Sequence, residues 1–91
     1  MTKKATSTRN VFIRTVTYHY AGQILSETKD TITLVKCCWV ADSGRFTQAM
    51  ETGNFGAGET EPYPADMPVT IFKSAIVDMC PFRGTLPIPQ K

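Results

Sequence analysis

The sequence predicts a mainly β protein of about five strands with one short inserted helix. Three patterns support this fold class. Residues 11–20 are rich in β-branched and aromatic side chains, and a second strand-like run over residues 31–40 begins with alternating polar and apolar side chains at Thr31–Leu34. A short apolar stripe at helical spacing follows Trp39. Strand signals therefore outnumber helix signals along the chain.

The length and composition fit one small domain. The chain has 91 residues, a hydrophobic content of 42% and a net charge of +2, which is too small to indicate nucleic-acid binding by itself. We expect a single domain over residues 11–80, a flexible arm over residues 1–10 and an extended Pro-rich tail over residues 81–91. A core this small is marginal, so we expect a homo-oligomer.

The first half of the chain predicts two long strands. The first covers residues 11–20 and continues to Leu25, with a bend or bulge near Gly22 because glycine tolerates that backbone. A polar turn over residues 28–30 leads into the second strand at residues 31–40. In an unbroken first strand, alternation places three side chains on one face: Arg14, Tyr18 and Tyr20.

A short helix is predicted over residues 45–51, with Asp42 or Ser43 as its N-cap and Gly53 as its stop. Its apolar face consists of Phe46, Ala49 and Met50.

The second half of the chain predicts a loop and one more strand region. Glycine and proline residues over 54–66 favour a loop. Residues 69–79 favour strand structure, with a turn or bend at Ser74 and Ala75.

Two segments resemble the Sm-like fold family. The first is Gly22-x-Ile24, a polar turn with Asp30, and Ile32-x-Leu34; the second covers residues 71–77. The resemblance implies a small Sm-like or SH3-like barrel. It also implies ring assembly through strand edges and binding to RNA, with Lys73 at the basic position of the second motif.

The whole chain resembles small β-barrel proteins encoded by bacteriophages. The residues that carry this resemblance are Ile13-Arg14-Thr15, Gly22-x-Ile24, the segment from Trp39 to Met50, and Ala75-Ile76-Val77. It implies a viral protein in the host cytoplasm, or alternatively in the virion.

Catalytic and metal-binding patterns are weak. His19 is the sole histidine, and no cysteine, serine or carboxylate has a spacing that fixes a catalytic arrangement with it. The cysteines Cys37, Cys38 and Cys80 include no CxxC pair, and we expect small buried thiols in a reducing compartment. We therefore expect no enzyme activity, no metal and no cofactor. Because no apolar segment is long enough, we also expect no membrane span.

Basic and aromatic residues are the candidates for ligand binding, because such side chains grip phosphates and stack bases. Trp39, Arg45 and Phe46 are expected near the helix start, although Trp39 and Phe46 are more typical of a core. Tyr63, between two prolines, is expected to be free to contact a neighbouring subunit. The candidate binding residues are Arg14, Tyr18, Arg45, Tyr63 and Lys73.

Three functions remain open from the sequence. The leading hypothesis is a non-catalytic homo-oligomeric module that sequesters a nucleotide, such as a cyclic dinucleotide of host immune signalling, as a phage anti-defence protein. The second is a virion structural or decoration protein that binds capsid proteins. The third is an Sm-like RNA-binding protein, for which binding should depend steeply on salt.

Overall fold

The computed structural model describes residues 9–56 and 58–90. It is mainly β, as predicted, with one short α-helix. The strands are β1 (Asn10–Thr15), β2 (His19–Glu27), β3 (Thr31–Asp42), β4 (Glu59–Pro62), β5 (Val69–Phe72) and β6 (Ile76–Pro81). The helix α1 covers Phe46–Thr52, and a 3-10 helix at Lys73–Ala75 joins β5 to β6. Most of the predicted N-terminal arm, residues 1–8, lies outside the described residues.

The strands pair antiparallel in one open sheet with the order β4-β3-β2-β1-β6. The long strand β3 has two partners on one side, because β5 pairs with Thr31–Leu34 and β4 pairs with the stretch from Cys38 to Asp42. The described residues thus form six strands instead of about five. The strands do not close on themselves within the described residues, so the barrel implied by the Sm-like resemblance is not confirmed.

The prediction of one unbroken strand over residues 11–20 was wrong. The chain turns between β1 and β2, and the Thr15 side chain organises that turn. Its hydroxyl accepts hydrogen bonds from the amides of Thr17 and Tyr18 and donates one to the Tyr18 carbonyl. A threonine hydroxyl can replace ladder bonds in this way, so β-branched composition alone did not show the break.

The predicted bulge and polar turn are confirmed. The pairing of β2 with β3 shifts register between Ala21 and Gln23, on either side of Gly22. A Cβ on Gly22 would lie 3.0 Å from the Leu34 Cβ, so the close approach of the strands favours glycine here. In the following turn, the Thr28 hydroxyl accepts hydrogen bonds from the amides of Asp30 and Thr31.

The helix begins one residue later than predicted and without the predicted cap. Arg45 is the N-cap residue and its side chain makes no capping hydrogen bond. The Asp42 carboxylate instead accepts a hydrogen bond from the Gly44 amide at 2.8 Å, which stabilises a turn before the helix. Gly53 ends α1 in the left-handed region at φ 73°, as predicted.

The loop predicted over residues 54–66 contains strand β4, so this prediction was wrong in part. Glu59 and Glu61 are exposed and the intervening Thr60 is buried. The Thr60 hydroxyl donates to the Pro89 carbonyl at 2.9 Å. The strand is only four residues long, too short for its alternation to stand out among the surrounding glycines and prolines.

Two apolar clusters lie on opposite faces of the sheet, because neighbouring residues of β1 and β3 divide between them. The first contains Phe12, Ala21, Cys38, Val40, Ala49, Phe55, Phe82 and Ile88. The second contains Val11, Ile13, Ile24, Ile32, Leu34, Cys37 and Ile71.

Part of the segment over residues 81–91, which we expected to be an extended tail, packs into the core. Phe82 and Ile88 are buried in the first cluster, and Leu86 packs against it. Prolines disfavour regular structure there but do not keep the intervening apolar side chains out of the core. The folded unit therefore extends well past residue 80.

Candidate functional site

The five candidate binding residues lie in different parts of the fold. Arg14 is in β1 and Tyr18 in the turn after it, Arg45 precedes α1, Tyr63 follows β4 and Lys73 begins the 3-10 helix. Over residues 9–56 and 58–90, no hydrogen bond, ion pair or ring contact joins any two of them. The expected shared face of Arg14, Tyr18 and Tyr20 does not form, because a turn separates β1 from β2.

Arg14 is committed to a partner within the protein. Its Nε donates to Asp78 Oδ1 at 2.8 Å and its Nη2 pairs with the second carboxylate oxygen. This hydrogen-bonded ion pair lowers the pKa of Asp78 and raises that of Arg14. The guanidinium also lies 5.2 Å from the centre of the Phe46 ring, at cation–π distance. Arg14 therefore holds Asp78 and Phe46 in place.

Tyr18 and Trp39 contact each other across the start of β2. Their ring centres are 4.7 Å apart in an edge-to-face arrangement. Tyr18 is 47% exposed. Phe46 instead contacts Phe12 at 6.0 Å between ring centres. The expected cluster of Trp39 with the helix start is therefore not observed.

Tyr63 packs against the second apolar cluster and is half-buried, contrary to the expectation of a free loop aromatic. Its amide donates to the Cys37 carbonyl at 3.0 Å, which holds this residue beside β3. Burial, and to a smaller degree the nearby Tyr20, raise the pKa of Tyr63.

Lys73 is also engaged. Its Nζ lies 2.7 Å from Glu27 Oε2, and its amide donates to the Asp30 carbonyl at 2.8 Å. Both contacts tie the start of the 3-10 helix to the turn between β2 and β3. The position of Lys73 is thus explained by local structure.

Arg45 differs from these basic residues. Its side chain is exposed and forms no ion pair or hydrogen bond with the described part of the chain. It lines a hollow of about 310 Å³ between the helix start and the following loop, here called the Arg45 hollow. The hollow is lined by Asp42, Gly44, Arg45, Gln48, Asn54, Phe55 and Gly56.

A second hollow adjoins the first, and both are lined by Gly44, Arg45 and Gln48. Phe46, 41% exposed, and Glu51 line the second hollow. The two hollows together form a surface of mixed polar character that carries one guanidinium, two carboxylates and two side-chain amides.

Side-chain amides in the Arg45 hollow were not singled out from the sequence. Asn54 Oδ1 accepts a hydrogen bond from the Gly56 amide at 2.9 Å, which leaves its amide nitrogen for other partners. Gln48 is exposed on the first turns of α1. The Gly-Asn-x-Gly spacing after the helix, typical of turns, is the signal that could have identified Asn54.

His19, the sole histidine of the chain, lies beside an aromatic ring. It lies 5.7 Å from the Phe12 ring, and its buried Nδ1 has no hydrogen-bond partner within the described ranges. No cluster of three or more His, Cys, Asp or Glu side chains suited to a metal ion occurs there.

Cys37 and Cys38 are buried free thiols, as predicted, while Cys80 is only partly buried. No helix within the described residues is long and apolar enough to cross a membrane.

Comparison with known proteins identifies no relative: no family model, curated protein or solved structure matches the chain. The Sm-like resemblance and the bacteriophage origin therefore stay predictions.

Proposed function

We propose that this chain is a non-catalytic, homo-oligomeric binding module that holds an anionic nucleotide in the Arg45 hollow. The observation that carries the proposal is the exposed guanidinium of Arg45, which forms no ion pair or hydrogen bond within residues 9–56 and 58–90 and lies beside two side-chain amides. Of the three candidate basic residues, Arg14 and Lys73 already form ion pairs with Asp78 and Glu27. Arg45 is thus the candidate best able to receive an external phosphate.

The chemistry of the hollow suits a nucleotide better than a simple anion. A guanidinium binds a phosphate through two parallel N–H donors. Gln48 and Asn54 offer amide groups that can hydrogen-bond a base or ribose. One carboxylate oxygen of Asp42 accepts a hydrogen bond from the Gly44 amide. Its second carboxylate oxygen can accept a hydrogen bond from the amino group of a base.

An aromatic surface is available beside Arg45. Phe46 lines the adjoining hollow, and Arg14 and Phe12 hold its ring in place. Stacking of a base on an aromatic ring contributes about 1–3 kcal/mol. In this proposal Phe46 takes the stacking role first expected of Tyr18 or Tyr63, and Arg14 positions that ring.

The biological role that fits this binding is sequestration of a signalling nucleotide, such as a cyclic dinucleotide, by a phage anti-defence protein in the host cytoplasm. Sequestration requires affinity alone and needs no catalytic group. The RNA-binding and virion alternatives rest on sequence patterns, and the engagement of Lys73 with Glu27 gives the RNA alternative no added support.

Isothermal titration calorimetry against a panel of cyclic dinucleotides, cyclic mononucleotides and linear nucleotides tests the proposal. We expect at least one to bind the wild-type protein. Arg45→Ala should weaken that binding by about 10- to 150-fold, the equivalent of the roughly 1.5–3 kcal/mol of a charged hydrogen bond. The fold should remain intact, because the Arg45 side chain is exposed and makes no cap.

Lys29→Ala is the matched control. Lys29 is exposed in the turn between β2 and β3, and its removal lowers the net charge by the same amount. It should leave the affinity unchanged. If no nucleotide binds, the proposal is wrong. If Arg45→Ala and Lys29→Ala bind as tightly as the wild type, the Arg45 hollow is not the site.

A further inference from the structure

Two short turns line the Arg45 hollow, one on each side of α1 in the sequence. In the turn before the helix, Asp42 Oδ1 accepts a hydrogen bond from the Gly44 amide at 2.8 Å. In the turn after it, Asn54 Oδ1 accepts one from the Gly56 amide at 2.9 Å. Both side chains are exposed and line the hollow. Within the described residues each turn uses one side-chain oxygen, so Asp42 Oδ2 and the Asn54 amide nitrogen remain to bind a ligand.

Close backbone contact holds the two turns together. A Cβ on Gly44 would lie 2.7 Å from the Phe55 carbonyl oxygen, and one on Gly58 would overlap the Asp42 carbonyl oxygen. The Gly58 amide also donates to the Phe55 carbonyl at 2.8 Å. These contacts place Asp42 and Asn54 on the same hollow before any ligand binds. A site formed in advance avoids the cost of ordering its side chains on binding.

The two side chains differ in what they offer to a base. An ionised carboxylate only accepts hydrogen bonds, and its two oxygens together have about four lone-pair sites. The Gly44 amide fills one of these sites on Asp42, so the carboxylate can still accept two neighbouring N–H donors. The Asn54 amide nitrogen donates, since the side-chain oxygen of this residue is bound to Gly56. The hollow therefore matches a base edge that has two adjacent donors beside an acceptor.

Guanine is the base that presents this edge. Its N1–H and 2-amino groups are neighbouring donors, and its O6 is an acceptor beside them. Adenine and cytosine each present one amino group beside a ring nitrogen that accepts, and uracil presents a single N–H between two carbonyls. A ring nitrogen or a carbonyl facing the Asp42 carboxylate would bring two acceptors together. Guanine therefore makes one charged hydrogen bond more with Asp42 than each of the other bases.

We propose that the Arg45 hollow binds guanine, with Asp42 accepting from N1–H and the 2-amino group and Asn54 donating to O6. The inference rests on the proposed function and names the base that this site selects. Arg45 lines both adjoining hollows, so a phosphate bound there leaves one base in the Arg45 hollow. In a dinucleotide the second base lies in the adjoining hollow, beside Phe46.

Calorimetric titration with cyclic di-GMP and cyclic di-AMP tests the inference. The wild type should bind cyclic di-GMP about 10- to 150-fold more tightly, the equivalent of one charged hydrogen bond. Asp42→Asn keeps Oδ1, which closes the turn on Gly44, and replaces Oδ2 with an amide that donates. It should weaken cyclic di-GMP binding and abolish the preference, with an unchanged circular dichroism spectrum. Removing a negative charge near an anionic ligand should by itself strengthen binding, so a weaker affinity reports the lost acceptor.

Glu59→Gln controls for the change of charge. Glu59 is exposed, lies opposite Asp42 in the pairing of β3 with β4 and is outside the Arg45 hollow. Its substitution should preserve the preference for cyclic di-GMP. Equal or tighter binding of cyclic di-AMP by the wild type, or an Asp42→Asn variant that keeps the wild-type preference, would overturn the inference and leave the proposed function standing. A wild type that binds no nucleotide would overturn the proposed function and guanine selection together.

Discussion

Gly53 and Gly84 lie in direct backbone contact. A Cβ placed on Gly53 would overlap the Gly84 backbone, and one placed on Gly84 would overlap the Gly53 carbonyl oxygen. Gly53 also ends α1 in the left-handed region, at φ 73°. The segment after β6 is therefore seated on the end of the helix by two residues that leave no room for side chains.

Gly53→Ala should lower the free energy of unfolding by more than the strain of a left-handed backbone conformation alone. Overpacking costs about 1–3 kcal/mol, and a non-glycine residue at this φ adds about 1–3 kcal/mol. Gly56→Ala is the matched control, because Gly56 has φ 56° but a Cβ there would meet nothing within 4 Å. Urea unfolding of both variants measures the difference, and equal losses would contradict the close contact.

Phe82→Ala tests whether the C-terminal segment belongs to the core. Phe82 is 5% exposed and stacks on Phe55 with ring centres 5.7 Å apart. Its truncation should cost about 3–5 kcal/mol in the free energy of unfolding, as for other buried phenylalanines. Phe72→Ala, at a side chain that is 64% exposed, should cost less than about 0.5 kcal/mol. Thermal unfolding of the two variants should rank them in that order.

Much of the β architecture could be predicted from sequence because it depends on local alternation and on polar turns. The turn at Thr28 and the strand from Thr31 follow from such patterns. The break after Thr15 could not be predicted in this way, since it depends on one hydroxyl bonding the next backbone groups. The burial of Phe82 depends on contacts between segments distant in sequence, which periodicity does not report.

The candidate site was predicted in part for a similar reason. Residue type identified Arg14, Arg45 and Lys73 as possible phosphate ligands. Two of the three are already paired with acidic residues that are distant in the sequence. Asp78, the partner of Arg14, lies 64 residues from it, and Glu27, the partner of Lys73, lies 46 residues from it. The sequence does not show which segments lie side by side or in what register. It therefore could not distinguish Arg45 from Arg14 and Lys73.

The Arg14–Asp78 ion pair should make stability depend on pH at the acid end. Arg14 lowers the pKa of Asp78 in the folded state below the value of about 3.9 expected in the unfolded chain. The stabilisation is therefore fully present above the unfolded pKa and is lost as the pH falls through the folded pKa. Both groups are exposed, so the effect should be small and weakened by salt.

Urea unfolding of the wild type and Asp78→Asn, from neutral pH to below about pH 3, measures this contribution. The variant should be less stable at neutral pH, and the difference should shrink as the wild-type carboxylate becomes protonated. Arg14→Gln should remove the same acid dependence, because Asp78 then lacks its partner. A stability difference that stays constant across the range would contradict the assignment.

Thiol labelling should separate Cys80 from the other two cysteines. Burial, reinforced by Cys38, raises the pKa of Cys37 to about 12, so roughly one part in 10⁴ is thiolate at about pH 8. Burial also raises the pKa of Cys38. Cys80 has a raised pKa too, caused first by partial burial and then by Asp78, but its side chain is only partly covered. A disulfide reagent should therefore label one thiol in the folded protein and three in denaturant. Cys80→Ser should leave no reactive thiol in the folded state, and labelling of that variant at the rate of the wild type would show that β3 opens to solvent.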